Sequence, residues 1–222
     1  MRIIVGVALL LAALPLAAQE NRASFALGPE RYALEADPGF CLAERGDLER
    51  WDTWNRLMGD TEGRFEPKAV FLDCVTLNAI REGAQPHDFA LRLVGVALGG
   101  GDPLPATDAA RVQFEFVRSM FRMMERRPGS VTGMPVEDIV ADIAEDRGLI
   151  AQCARPRAGS QSVGIDLCFA EPDGDDPMQG GVAVRPVGNR FVAGAALTRP
   201  GNGDSPGFDA GEALLDGLAK DR

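Results

Sequence analysis

Alternating apolar and polar residues predict several β-strands in this chain. Residues 23–36 alternate around a Gly28-Pro29 turn, which predicts a short hairpin. Two longer segments, 69–77 and 89–98, are apolar at successive positions and predict central strands covered on both faces. The second half of the chain carries four further strand patterns, at 149–153, 163–170, 181–187 and 190–197. The last two are joined by Gly188-Asn189, a two-residue connection typical of a tight hairpin.

Apolar residues at helical spacing predict four helices. The first begins with Asp47 as its N-cap and runs through a segment that contains both tryptophans. The clearest helix spans 108–126, and two more are expected at 135–148 and 208–220. The apolar face of the first helix is formed by Leu48, Trp51, Trp54 and Met58.

The helix at 108–126 carries two neighbouring apolar rows and a charged row opposite them. We expect both apolar rows to be buried in the core, and a hydrophobic groove for a partner is the alternative interpretation. One row is Ala110, Phe114, Val117, Phe121 and Met124, and the other is Val112, Phe116, Met120 and Met123. The charged row is Arg111, Glu115, Arg118, Arg122 and Glu125.

These elements predict an α+β fold with a mainly antiparallel sheet. Strands outnumber helices, and tight turns join several strands that follow one another in the chain. Helices would then flank the sheet. No internal repeat and no change in composition divides the sequence, so residues 19–222 are expected to form a single α+β domain.

The first eighteen residues have the pattern of a signal peptide. Met1-Arg2 precedes an apolar run over residues 3–16, and the small pair Ala17-Ala18 precedes a polar segment. The run is shorter than the roughly 20 apolar residues that a membrane anchor needs. We therefore expect cleavage after Ala18, no stable membrane anchor afterwards, and a periplasmic or secreted mature protein.

The charge balance argues against a polyanionic partner. The formal net charge is −10, and the basic residues are dispersed among acidic ones. Nucleic-acid binding depends on clustered Lys and Arg, so we expect no nucleic-acid partner. The abundance of arginine over lysine, with many Ala and Gly residues, is typical of a GC-rich bacterial genome.

An even number of cysteines in an exported chain predicts disulfide bonds. The four cysteines, Cys41, Cys74, Cys153 and Cys168, permit three pairings. Cys153 and Cys168 end two apolar segments separated by a turn-rich stretch, which favours a bridge across a hairpin and leaves Cys41 to pair with Cys74. The chain has no Cys-x-x-Cys motif, so a zinc or redox role is the weaker alternative.

No sequence motif assigns a catalytic residue, a metal site or a cofactor. There is no Gly-x-Ser-x-Gly motif, and the lone His87 lies in a polar connection. Asp73 and Asp166 are flanked by apolar residues, and a buried carboxylate would need an arginine or backbone donors. A hydrolase that uses paired carboxylates stays open, because the sequence does not reveal which acids lie together.

Two further segments could be taken for a cation site and a phosphate loop, but a simpler interpretation is favoured for each. Residues 171–176 concentrate acidic side chains but lack the spacing of a calcium loop, and a solvated turn is favoured over a cation site. The triple glycine Gly99-Gly100-Gly101 is followed by Asp102 rather than the Lys-Ser/Thr of a phosphate loop. It is interpreted as a flexible linker.

The order of elements resembles that of the Mog1/PsbP-like sandwich domains. The resemblance is carried by the opening hairpin around Tyr32 into Pro38-Gly39-Phe40, by the strand at 70–77, and by the closing 182–197 hairpin with the helix after it. It implies an antiparallel sheet flanked by helices, and an accessory or binding role rather than catalysis. It transfers no functional residue.

The favoured hypothesis is therefore an exported, non-enzymatic accessory or binding protein for another envelope protein or a small ligand. Trp51 and Trp54 form a candidate interaction surface, although core packing is the commoner role of such a pair. The alternatives are the carboxylate-based hydrolase and a structural envelope protein.

Overall fold

The computed structural model describes residues 21–58, 64–126, 150–170, 178–199 and 207–221. The predicted signal peptide, the predicted helix at 135–148 and the acidic turn at 171–176 lie outside these ranges.

The described chain forms helices and strands in the following order. The strands are β1 (Arg22–Leu27), β2 (Glu30–Glu35), β3 (Phe40–Leu42), β4 (Phe65–Asp73), β5 (Phe89–Gly99), β6 (Asp102–Pro103), β7 (Ile150–Ala158), β8 (Val163–Ala170), β9 (Met178–Val187), β10 (Arg190–Arg199) and β11 (Ala219–Lys220). The helices are α1 (Arg45–Leu48), α2 (Asp52–Met58), α3 (Cys74–Arg81), α4 (Asp108–Arg126) and α5 (Phe208–Asp216).

The strands form two antiparallel sheets. The small sheet has the order β1-β2-β11, and the large sheet has the order β3-β4-β5-β10-β9-β8-β7, with β6 paired to β5. Every pairing among the described strands is antiparallel. The predicted α+β class, with a mainly antiparallel sheet flanked by helices, is therefore confirmed.

The large sheet is buried on both faces. Successive residues of β4 point to opposite sides, and Phe71 and Leu72 accordingly belong to two different core clusters. The first cluster lies on the face that also contacts β1, β2 and α5, and it includes Leu34, Phe71 and Phe208. The second lies beneath α1, α2 and α3. Among the described helices, none combines the length and the apolar character of a membrane span.

The strand predicted at 69–77 ends four residues early. At Asp73 the chain turns into α3, because the Asp73 side chain accepts a hydrogen bond from Thr76 N at 2.9 Å and caps the helix. Its other oxygen accepts a hydrogen bond from Ala90 N at 2.9 Å. Asp73, which the sequence analysis singled out because apolar residues flank it, thus accepts hydrogen bonds from backbone donors at a strand end. This is a structural role.

The helix predicted from Asp47 is two short helices. Glu44 is the N-cap of α1, and Asp47 is its third residue, whose carboxylate accepts a hydrogen bond from Glu44 N at 3.0 Å. Asp47 also accepts hydrogen bonds from Arg81 Nη2 at 2.9 Å and Arg81 Nε at 3.2 Å, which tie α1 to α3. The assignment of Asp47 as N-cap is wrong because Glu44 supplies the reciprocal cap.

This arrangement predicts a pH-dependent contribution to stability. Burial alone raises the pKa of Asp47, but hydrogen bonds from Arg81 and Glu44 outweigh it and hold the pKa below its ordinary value of 3.8. The contribution is therefore present above about pH 4 and is lost as the pH falls through the lowered pKa of the folded state. Asp47→Asn should reduce the unfolding free energy by about 1–2 kcal/mol at pH 7 and by little at pH 2, measured by urea denaturation. A constant difference across that range would contradict it.

Helix α4 has the predicted bounds but a different buried face. Phe114 is buried and its ring centroid lies 5.6 Å from that of Phe191, whereas Val112, Phe116 and Met123 are 71%, 67% and 55% exposed. The expectation that both apolar rows are buried is therefore wrong for the second row. Arg118, expected in solvent, instead donates a hydrogen bond to Ser160 O in the β7–β8 turn, so the packed face of α4 is rotated toward the charged row.

Two further segments differ from the sequence prediction. The final helix, α5, ends at Asp216, and Ala219–Lys220 pair with β2 instead of continuing it. The glycines of the triple-glycine segment form the tight turn between β5 and β6, in which Gly100 and Gly101 have φ angles of 63° and 93°. Because glycine adopts positive φ without strain, this segment is a hairpin turn rather than a linker.

Candidate functional site

An open cleft of about 650 Å³ lies between the large sheet and the start of α5. Its charged lining consists of three arginines from two strands, together with one aspartate from β8 and one from α5. The Cys153–Cys168 disulfide forms another part of the wall. The five charged residues are Arg92, Arg155, Arg157, Asp166 and Asp209.

Strand register explains why residues distant in sequence meet here. Arg92 begins a cross-strand row that crosses β10, β9 and β8 and ends at Arg155 on β7. Residues opposite each other in antiparallel strands share one face, so the row faces the same side of the sheet. The intervening positions are Ala196, Gly181 and Asp166. A Cβ on Gly181 would lie 2.2 Å from Phe208 N, so only glycine lets the start of α5 approach the sheet.

Arg157 is held by carboxylates from three elements. Its guanidinium donates to Glu125 of α4 at 2.9 Å, to Asp166 of β8 at 2.6 Å and to Asp209 of α5 at 3.0 Å. Burial alone lowers the pKa of Arg157, but the hydrogen bond that it donates to Asp166 and the charges of Asp166 and Asp209 raise that pKa overall. Arg157 is therefore a fixed cation that joins three elements at one side of the cleft.

Asp166 is also fully engaged. One oxygen accepts the bond from Arg157, and the other accepts a hydrogen bond from Phe208 N at 2.6 Å. A carboxylate that accepts a hydrogen bond from the first backbone N–H of a helix satisfies an otherwise unpaired donor. It also interacts favourably with the helix dipole. Asp166 thus has both kinds of partner, an arginine or a backbone donor, that the sequence analysis named for a buried carboxylate.

Arg92 differs from Arg157 because no carboxylate neutralises it. Its guanidinium carbon lies 4.6 Å from the centre of the Phe40 ring, and Nη1 donates a hydrogen bond to Leu91 O at 3.1 Å. No ion pair to Arg92 occurs among the described residues. Burial lowers the pKa of Arg92, and the charge of Asp37 only partly opposes this.

Arg155 is the second uncompensated cation of the cleft. Its side chain is exposed, and within the described ranges that side chain makes neither a hydrogen bond nor an ion pair. Arg157 is already paired with three carboxylates, so Arg92 and Arg155 are the lining cations without a carboxylate partner among the described residues, in a protein whose net charge is −10. Such a site attracts an anion, and arginine binds carboxylate and phosphate through paired N–H donors.

The comparisons with known proteins do not assign the cleft. No protein-family model and no curated protein matches the chain. Among solved structures, the chain is similar to the solution structure of cyanobacterial PsbP (CyanoP) from Synechocystis sp. PCC 6803, with a TM-score of 0.38 and 11% identity over 95% of this chain and 99% of that chain. This is a weak resemblance at the level of topology, of the kind that the order of elements suggested.

The structure pairs the cysteines as the sequence favoured. Cys41 bonds to Cys74 with a Cα–Cα distance of 5.0 Å, and Cys153 bonds to Cys168 with a Cα–Cα distance of 4.9 Å. The first bridge ties β3 to the start of α3, and the second joins β7 to β8 directly beside the cleft. Two such bridges are typical of proteins from an oxidising compartment.

The tryptophans lie in the core rather than in the cleft. Trp51 is 0% exposed and packs edge-to-face on Phe89, with ring centroids 4.9 Å apart. Trp54 is half-buried against the same cluster. The candidate interaction surface is corrected accordingly, because a buried Trp51 offers no area to a partner. His87 is exposed, and no cluster able to hold a metal ion occurs among the described residues.

Sequence reasoning missed the three arginines. Arg92 interrupts the apolar run Leu91-Arg92-Leu93 within a strand expected to be covered on both faces, and a charged residue at such a position was the available signal. Arg155 and Arg157 are two residues apart on β7 and therefore lie on the same face of the strand. Their meeting with Arg92 depends on strand order, which the sequence pattern does not reveal.

Proposed function

We propose that the protein is an exported, non-enzymatic binding or accessory protein and that the arginine-lined cleft is its ligand-binding site. The observation that carries the proposal is the presence of two uncompensated guanidiniums, Arg92 and Arg155, in the lining of an open cleft. The half-buried charge of Arg92 without a carboxylate partner is costly to folding, and the exposed Arg155 contributes little to it. Both are better explained by an anionic group of a ligand.

The chemistry of the lining favours binding over hydrolysis. A carboxylate-based hydrolase needs one acid that holds a proton and a second that is free to act as base or nucleophile. The two acids of the cleft, Asp166 and Asp209, both accept hydrogen bonds from the same Arg157 guanidinium, so they are engaged in ion pairs rather than arranged as an acid and a free base. The four cysteines are oxidised and supply no thiolate nucleophile.

Export to the periplasm, or secretion, rests on two independent features. The first eighteen residues have the pattern of a signal peptide. The two disulfides would persist only outside a reducing cytoplasm. The partner in that compartment is proposed to be a small ligand or an envelope protein.

Native mass spectrometry of protein recovered from the bacterial envelope fraction tests this proposal. We expect a chain that begins at Gln19, contains two disulfides and carries a bound ligand. The Arg92→Met/Arg155→Met variant should lack the ligand, whereas Arg45→Met should retain it, because Arg45 is an exposed arginine on α1. Recovery of a ligand-free protein, or of an uncleaved chain in the cytoplasm, would contradict the proposal and favour a structural or cytoplasmic role.

A further inference from the structure

Arg92 is oriented before any ligand arrives. The Phe40 ring lies against one face of its guanidinium, and the Leu91 carbonyl fixes one of its nitrogens. A guanidinium has five N–H donors, and Nη1 to Leu91 O is the one hydrogen bond that Arg92 makes among the described residues. A cation held in this way loses little side-chain entropy on binding, so its remaining donors suit a planar anion.

The charge of the cleft selects a singly charged ligand. Arg157 is compensated by Glu125, Asp166 and Asp209, which leaves Arg92 as the half-buried lining cation without a carboxylate partner among the described residues. A monoanion therefore neutralises the Arg92 guanidinium. A phosphate dianion would leave excess negative charge beside two fixed carboxylates, in a protein that is already acidic.

The two uncompensated arginines cannot act as one clamp. Four strand spacings of about 4.8 Å separate them along their row, which places their Cα atoms roughly 19 Å apart. Arg92 is half-buried and fixed, whereas Arg155 is exposed. Direct contact with an anionic group is thus expected at Arg92, and Arg155 attracts the ligand through longer-range charge.

We infer that the ligand carries a single carboxylate and that Arg92 is the residue that binds it. This inference rests on the proposed function and specifies the ligand class of the same cleft. The carboxylate can belong to a small organic acid or to an acidic side chain of a partner protein. Both present the same planar group to the guanidinium.

NMR titration of the mature, oxidised protein tests this inference. The observed signals are the Arg92 Nε–Hε resonance and the backbone amides around the cleft. The probes are benzoate, neutral benzamide, inorganic phosphate at pH 8, and the peptides Ac-Ala-Glu-Ala-NH2 and Ac-Ala-Gln-Ala-NH2. The ratio of benzoate to glutamyl-peptide affinity distinguishes a small acid from a partner's side chain.

We expect saturable shifts at Arg92 with the carboxylates, weaker binding of phosphate, and none with the two amides. Arg92→Met should lower the affinity at least about tenfold, and Arg92→Lys should retain an intermediate affinity. Arg155→Met should lower the affinity about two- to fivefold at low salt and less at high salt. Arg45→Met is the matched loss of one exposed positive charge and should change nothing.

Equal shifts with benzoate and benzamide, or unchanged binding by a folded Arg92→Met variant, would overturn the inference. Thermal melts of each variant establish that it is folded. If the envelope-derived protein carries a ligand but no carboxylate binds at Arg92, the proposed function stands and this assignment fails. If carboxylates bind at Arg92 but the recovered protein is ligand-free, the assignment stands and the proposed function fails.

Discussion

Replacing Trp51 with alanine should lower the unfolding free energy by about 3–5 kcal/mol, the cost typical of deleting a large buried aromatic side chain. Trp51 is fully buried, its ring packs edge-to-face on Phe89, and its Nε1 donates to Pro86 O at 3.4 Å. The substitution would leave a cavity between the large sheet and the short helices. Urea denaturation monitored by circular dichroism measures the loss.

Phe116→Ala is the matched control for this substitution. Phe116 is 67% exposed on α4, so its removal should change the unfolding free energy by less than about 0.5 kcal/mol. Neither variant should weaken carboxylate binding while it remains folded, because neither side chain lines the cleft. A Trp51→Ala variant of nearly wild-type stability would instead support the surface role that the sequence suggested.

Removing the Cys41–Cys74 bridge should lower the unfolding free energy by about as much as Trp51→Ala does. The bridge closes a loop with a sequence separation of 33, which corresponds to roughly 3–4 kcal/mol in the chain-entropy estimate. Cys41 is also 2% exposed within the second core cluster. The double variant Cys41→Ala/Cys74→Ala should therefore unfold at a markedly lower urea concentration.

The second disulfide provides an internal comparison. Cys153–Cys168 has a sequence separation of 15, for which the same estimate is about 3 kcal/mol. It also lines the cleft, so Cys153→Ala/Cys168→Ala should weaken ligand binding, whereas the Cys41/Cys74 variant should not. If both double variants kept wild-type stability, the bridges would not be structural.

Much of the fold follows from local patterns. The hairpin of β9 and β10 forms around Gly188-Asn189 as predicted, and Gly188 has a φ angle of 56°. Helix α4 has the bounds that its periodicity indicated. The turn between Cys153 and Cys168 was sufficient to favour the observed disulfide pairing. In each case the decisive interactions lie close together in sequence.

Predictions failed where a helix cap or a contact with another segment decided the outcome. The β-forming residues after Asp73 fold as α3 because the Asp73 carboxylate caps a helix there. The second apolar row of α4 is exposed, and Arg118 of the charged row instead contacts a carbonyl of the β7–β8 turn. Arg92 and Arg155 share a cleft through three intervening strand pairings. Sequence periodicity reports which face a residue occupies but not which strands are neighbours.

The acidic character of the protein and its arginine-lined cleft together explain where an anion would bind. A net charge of −10 disfavours nonspecific binding of anions over most of the surface. The half-buried Arg92, which has no carboxylate partner among the described residues, then restricts anion binding to one place. Specificity would come from the fixed guanidinium of Arg92 and from repulsion of multiply charged anions by Asp166 and Asp209.

A crystal structure of the protein purified from its native envelope fraction, without added ligands, tests the central claim most directly. We predict electron density for a bound molecule in the cleft, with a planar anionic group within hydrogen-bond distance of the Arg92 guanidinium. Bound density on the exposed row of α4, with only solvent at Arg92, would contradict the account.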